Sequence, residues 1–131
     1  MNEPLPTTGP LWRRVLLSFR YAGRGVLVIV RTQTNAWIHA VAAFVAIIAG
    51  FFFGISRLEW CAVVGAIGLV LTAEGINTAI EAVVDLASPD RHPLAGRAKD
   101  VAAGAVLLAA LAALVIGLLV FGPRVLGLLG H

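Results

Sequence analysis

Three long apolar segments constrain this chain more than any other feature. They run over about residues 37–54, 60–84 and 101–121. Each is near the roughly 20 residues that an α-helix needs to cross a hydrocarbon core. Lipid offers no water to satisfy a backbone, so the segments predict transmembrane helices. Trp37, Trp60 and Phe121 stand near segment ends, where interfacial aromatics concentrate. Composition agrees. Of 131 residues, 60% are hydrophobic and 13% charged, against about 45–50% and about 25% in soluble domains. A soluble globule this small could not hide so much apolar surface. The chain is also too short to enclose a ligand in its own core. Any deep pocket must lie between helices or between copies of the chain.

The flanks are simpler. Residues 1–10, with Pro4, Pro6, Gly9 and Pro10, predict a mobile tail. Residues 11–31 read as an amphipathic helix. Arg13, Arg20, Arg24 and Arg31 project within about 40° of one another at roughly 100° per residue. Such a stripe suits a helix lying in the membrane interface. Residues 11–131 then form one membrane domain. The connections 55–59 and 87–97 are short, and Pro89 and Pro93 mark the second as a break. Arg residues interrupt the 11–31 stretch, so no cleavable signal peptide is expected. The lone Cys61 excludes a disulfide framework and a cysteine metal site, and reads as a small packing residue. There is no internal repeat.

The net charge is +3, from nine Arg and one Lys against seven acids. No basic tract or stacking-aromatic pattern points to nucleic acid, which leaves anionic lipid or a polyphosphate. Arg13, Arg14, Arg20, Arg24, Arg31, Arg91, Arg97 and Lys99 fall on one side of the predicted spans, and only Arg57 and Arg124 on the other. The positive-inside rule puts the N-terminus and the 87–100 region in the cytoplasm and the C-terminus outside.

The second span is not purely apolar. It carries Glu74, Asn77, Glu81 and Asp85 at intervals of three, four and four. On a helix these share one stripe about 80° wide. Asp85 near the surface would put Glu74, about 16 Å deeper, close to mid-membrane. A charge at helix centre costs at least about 2.5–3.5 kcal/mol on insertion scales. The bland reading is polar glue between helices. The sharper one is a site open to the cytoplasm that needs negative charge, for cation binding, proton handling or general-base chemistry. The cytoplasmic mouth discriminates. Asp90, Arg91 and His92 lie in the loop, and Arg97, Lys99 and Asp100 precede the third span. Carboxylates able to hold Mg²⁺ stand beside cations able to hold phosphate, the pairing phosphoryl transfer needs. No P-loop or kinase-type glycine loop is present, so a nucleotide site must be of another kind.

These residues carry a resemblance. Glu74-Gly-Ile-Asn77-Thr78-Ala79-Ile80-Glu81-Ala-Val-Val-Asp85, then His92 and Ala98-Lys99-Asp100-Val-Ala-Ala-Gly-Ala-Val, resemble the prokaryotic diacylglycerol kinase family, and within it the undecaprenol kinase branch. Ser18-Phe19-Arg20-Tyr21-Ala22 with Gly25, Asn35 with Ile38-His39, and Phe121-Gly122-Pro123 add to it, over about residues 14–123. The resemblance implies an all-α integral membrane protein of the bacterial cytoplasmic membrane. Its architecture is an N-terminal amphipathic surface helix plus three transmembrane helices, in a homotrimer with composite sites. It implies an ATP-dependent lipid kinase using Mg²⁺. Glu74 would be the general base, Asn77 would orient it or a phosphate, and Glu81 would be a magnesium ligand that also touches the nucleotide. Lys99 would hold the β/γ-phosphates, helped by Asp100, Asp90, Arg91 and His92, with Arg14 and Tyr21 reaching in from the surface helix. Asp85 stays open, as a second nucleotide contact or a helix-end ligand.

One position departs from the family pattern. Where the family carries a metal-sharing Glu, two residues before Asn35, this chain has Gln33. An amide offers a carbonyl oxygen but no charge, and Mg²⁺ prefers carboxylate and phosphate oxygens. A weakened metal site, a ligand supplied otherwise, and altered activity are the three readings. The acceptor expected is undecaprenol, with diacylglycerol the alternative. A cation- or proton-coupled transporter would also put a Glu in mid-membrane, but does not require Lys99-Asp100. A non-catalytic membrane subunit is the remaining alternative.

Overall fold

The computed structural model describes residues 10–32, 34–90 and 92–130. Among them are four α-helices and no strand: α1 (Leu11–Thr32), α2 (Thr34–Phe53), α3 (Arg57–Ala87) and α4 (Pro93–Leu129). α2, α3 and α4 are each long and apolar enough to cross a membrane. Residues 1–9 of the expected tail lie outside the described part.

Local chemistry sets the helix ends. Gly54 closes α2 at φ 57°, a left-handed conformation that favours glycine. The Ile55 N–H then reaches the Gly50 carbonyl at 3.2 Å and the Gly54 N–H the Phe51 carbonyl at 3.3 Å, a Schellman closure. Ser56 caps α3. Its Oγ accepts from the Glu59 N–H at 3.4 Å, and the Glu59 carboxylate accepts from the Ser56 N–H at 2.7 Å, which completes a capping box. His92 caps α4, its Nδ1 accepting from the Leu94 N–H at 3.2 Å.

These caps correct the predicted spans. α3 extends the second segment, and α4 runs well past both ends of 101–121. The connection expected over 87–97 shrinks to residues 88–92. Hydropathy finds the apolar stretch, whereas a helix continues until something caps it. Pro93 starts α4 instead of breaking it, because a first-turn residue needs no N–H partner. Pro123 lies inside α4 and removes one ladder bond to the carbonyl four residues back. Arg124 donates from Nη1 to the Val120 carbonyl in that same turn.

α3 and α4 form a long antiparallel hairpin pinned at both ends. Lys99 meets Asp85 at 2.5 Å beside the connection, and Arg124 grips both oxygens of Glu59 at 2.9 and 3.0 Å at the far end. About 25 residues separate the pairs along each helix, or about 38 Å, so one register holds throughout. That length matches a bilayer with part of its headgroup layers, about 40–45 Å in all. Between the pairs, Val63, Ala66, Val70, Glu74 and Asn77 of α3 are buried, as are Ala102, Val106 and Ala109 of α4. The alanines let the backbones approach closely. At the far end, Ile55, Val63 and Val120 pack with Phe53, Trp60, Ile116 and Phe121. Gly50 makes room there, since a Cβ would sit 2.7 Å from the Trp60 ring. α1 docks through Ile29, whose Cδ1 would stand 3.0 Å from a Cβ on Gly75. Large apolar side chains such as Phe44, Phe51 and Leu108 remain exposed, as suits faces turned to lipid or to other copies.

Candidate active site

The stripe predicted on the second span is a real face of α3. Its lower part, Val63 to Val70, is apolar, and Glu74, Asn77, Glu81 and Asp85 continue it toward the connection. Glu74 is 1% exposed and is the largest fully buried side chain among the described residues. Its Oε1 has no hydrogen-bond donor. One turn on, Asn77 donates from Nδ2 to Glu81 Oε1 at 3.1 Å, and its own Oδ1 is buried without a donor. Thr78 spends its hydroxyl on the Glu74 carbonyl at 2.9 Å. Two acceptor oxygens about one turn apart on α3 are therefore buried without a hydrogen-bond donor. An orphaned buried polar atom costs about 1–3 kcal/mol, so this spot is built to receive a donor such as a hydroxyl.

The mouth gathers the other chemistry. A pocket of about 520 Å³ is lined by Asp85, Ser88, Asp90, His92, Gly96 and Lys99, among others. Ser88 steadies the connection by donating its hydroxyl to the Asp90 carbonyl at 2.9 Å. His92 accepts at Nδ1, which requires the proton of a neutral ring to be on Nε2, the nitrogen left for an outside acceptor. Asp100 is exposed and follows Lys99 by about 100° around α4, so the two diverge. Arg14 lines a shallow groove made by α1 alone, with Leu11, Val15, Ser18, Phe19 and Ala22. Tyr21 lies under the Arg24 guanidinium at 5.8 Å. Gln33 and Arg91 lie outside the described residues. One chain thus brings together Glu74, Asn77 and Glu81, and separately Asp90, His92 and Lys99.

Sequence reasoning missed two ion pairs. Asp85 is the partner of Lys99, and Glu59 the partner of Arg124. The signal was the matched spacing of two acids on one helix and two bases on the next. It also missed an apolar cleft of about 550 Å³ between α2, α3 and α4, lined by Ala46, Ala66, Val70, Leu71, Ala113 and Gly117 among others. Val70 and Leu71 place part of its lining one turn from Glu74, and His39 also lines it.

Residues 20–121 match the sequence pattern of the prokaryotic diacylglycerol kinase family. The chain belongs to that family. It is 45% identical over 111 residues to the undecaprenol kinase of Bacillus subtilis, covering 85% of this chain and 90% of that one. It is 40% identical over 116 residues to the diacylglycerol kinase of Synechocystis sp., covering 88% and 66%, and 30% identical over 116 residues to that of Escherichia coli, covering 83% and 88%. The chain is thus a lipid kinase of a bacterial membrane, with ATP as phosphoryl donor. The family pattern matches up to residue 121, and Arg124 follows it.

Proposed function

We propose that this kinase phosphorylates a long-chain prenol, undecaprenol, with Glu74 as general base. The observation that carries the reading is the buried Glu74 carboxylate with its unpartnered oxygen, between an apolar cleft below and a phosphate-binding mouth above. A lipid alcohol whose chain enters the cleft brings its hydroxyl to Glu74. Glu74 accepts the hydroxyl proton, the freed oxygen bonds to the γ-phosphorus, and the bond from that phosphorus to the β-phosphate oxygen breaks to release ADP. Asn77, bonded to Glu81, keeps the two carboxylates in order. Lys99 holds the β/γ-phosphates, with Asp90, Arg91, His92 and Asp100 around the nucleotide and Arg14 and Tyr21 closing over it from α1.

Glu81, with the Gln33 carbonyl, would hold Mg²⁺. Among the described residues no group of three or more His, Cys, Asp or Glu side chains suits a metal. That donor set fits a magnesium shared with nucleotide phosphates and water, the usual way this ion is held. When bound, Mg²⁺ neutralises phosphate charge that builds up during transfer.

Residues 11–131 act as one membrane domain, with the eight-against-two split of basic residues putting the N-terminus in the cytoplasm. The divergence of Lys99 and Asp100, the place of Arg14 in a separate groove on α1 and the exposed apolar faces support a homotrimer with sites shared between subunits. Undecaprenol is preferred to diacylglycerol because the relative of 45% identity is an undecaprenol kinase, against 40% and 30% for the diacylglycerol kinases. The test is direct. Purified protein in detergent with Mg-ATP should phosphorylate undecaprenol in preference to diacylglycerol, and Glu74→Gln should not. Transfer to diacylglycerol alone overturns the acceptor, and nucleotide binding without transfer to any lipid alcohol overturns the kinase mechanism.

A further inference from the structure

We propose that Asp85 is the counter-ion that Lys99 exchanges for phosphate, and so sets how tightly nucleotide is retained. The inference rests on the reading of Lys99 as the phosphate-holding group. Lys99 is the chain's single lysine. It stands on the α4 face that also carries Ala102, and its ammonium meets Asp85 Oδ1 at 2.5 Å. The side chain of Lys99 is 36% exposed and that of Asp85 67%. Both line the mouth pocket with Ser88, Asp90 and His92.

Asp85 ends the acidic stripe of α3, but it differs from the acids above it. Glu74 is buried with an orphaned oxygen, and Glu81 accepts from Asn77. Asp85 crosses to the other helix. It holds the flexible lysine over the pocket instead of leaving it to sample solvent. When phosphates arrive, the ammonium must turn to them. Asp85 is then left as a like charge beside the nucleotide, and its exposure makes that release cheap. After transfer, ADP departs as the lysine returns to its carboxylate. No proton or bond changes hands; one ion pair replaces another.

The size of the effect follows from the exposure. Solvent-exposed ion pairs are worth about 0.2–1 kcal/mol, which bounds the change in affinity at about fivefold. Titration calorimetry of the full-length protein in detergent, with Mg-ADP as the probe, should show Asp85→Asn binding about two- to fivefold tighter than wild type. The gain should shrink in high salt, as screening predicts. Steady-state assays should split, with KM for ATP falling while kcat does not rise. Asp85→Glu keeps the carboxylate and should return Kd toward wild type, which loss of hairpin stability alone would not do. Weaker ADP binding in Asp85→Asn would make Asp85 a nucleotide ligand and overturn the proposal, and so would an unchanged Kd. A wild type that binds no nucleotide sinks the kinase mechanism itself, a separate outcome.

Discussion

Replacing Gly50 by alanine tests the far-end packing in quantitative terms. An added Cβ would lie 2.7 and 2.8 Å from two Trp60 ring carbons and 3.2 Å from Ile55 Cδ1. Carbon contacts settle at about 3.5–4.0 Å, so the indole must retreat by about 0.8 Å. Its retreat is hindered by Phe51, whose ring centroid is 4.9 Å from that of Trp60. Overpacking of this kind costs about 1–3 kcal/mol. Against it, alanine gains up to about 1 kcal/mol over glycine inside a helix. The net is a loss of up to about 2 kcal/mol, or several degrees of Tm for a domain of this size. Thermal unfolding in detergent, followed by circular dichroism, reads it. Gly23→Ala is the control, since nothing lies within 4 Å of its added Cβ, and it should hold or raise Tm. Gly50→Ala combined with Trp60→Leu should lose less than the two single changes together, because the smaller side chain removes the clash. KM for ATP should not move, because the mouth is at the opposite end of the hairpin. A Gly50→Ala protein as stable as the Gly23→Ala control would refute the close packing of α2 on α3.

Other outcomes can be stated briefly. Glu74→Gln should lower kcat by about 10²–10⁴, the usual contribution of a general base, with Mg-ADP affinity retained; a smaller loss removes Glu74 from that role. Gln33→Glu should lower the Mg²⁺ concentration needed for half-maximal rate, and an unchanged Mg²⁺ response would take position 33 out of the metal shell. Ser56→Ala should destabilise the protein by about 0.5–2 kcal/mol through loss of the α3 cap, read as a lower Tm at unchanged KM. Arg124→Met should also lower Tm, because the Glu59 carboxylate and the Val120 carbonyl both lose their guanidinium donor; an unaltered Tm would show that the clamp is dispensable.

Much of the fold was legible because lipid simplifies the code. Apolar length and the period of Glu74, Asn77, Glu81 and Asp85 are local properties, and both reappear in α3. Boundaries were less legible. Pro93 reads as a breaker, yet it begins α4, since a proline's effect depends on whether its missing N–H is needed. The Ser56–Glu59 capping box was written in the sequence as a Ser with a Glu three residues on. Hydropathy alone reads those residues as part of a connection.

The sequence by itself determined the membrane class, the polar face of the second span and the family, because each is carried by spacing within one segment or by a contiguous motif. What those residues meet depends on how the helices pack. That packing buried Glu74 and left its oxygen without a donor, turned Asp85 from an open question into the partner of Lys99, and matched Glu59 to Arg124 across 65 residues. The reason is geometric. A helix face is set by residues three and four apart, but a partner across a hairpin depends on the register of two helices. That register is the joint outcome of caps, small-residue packing and charges at both ends.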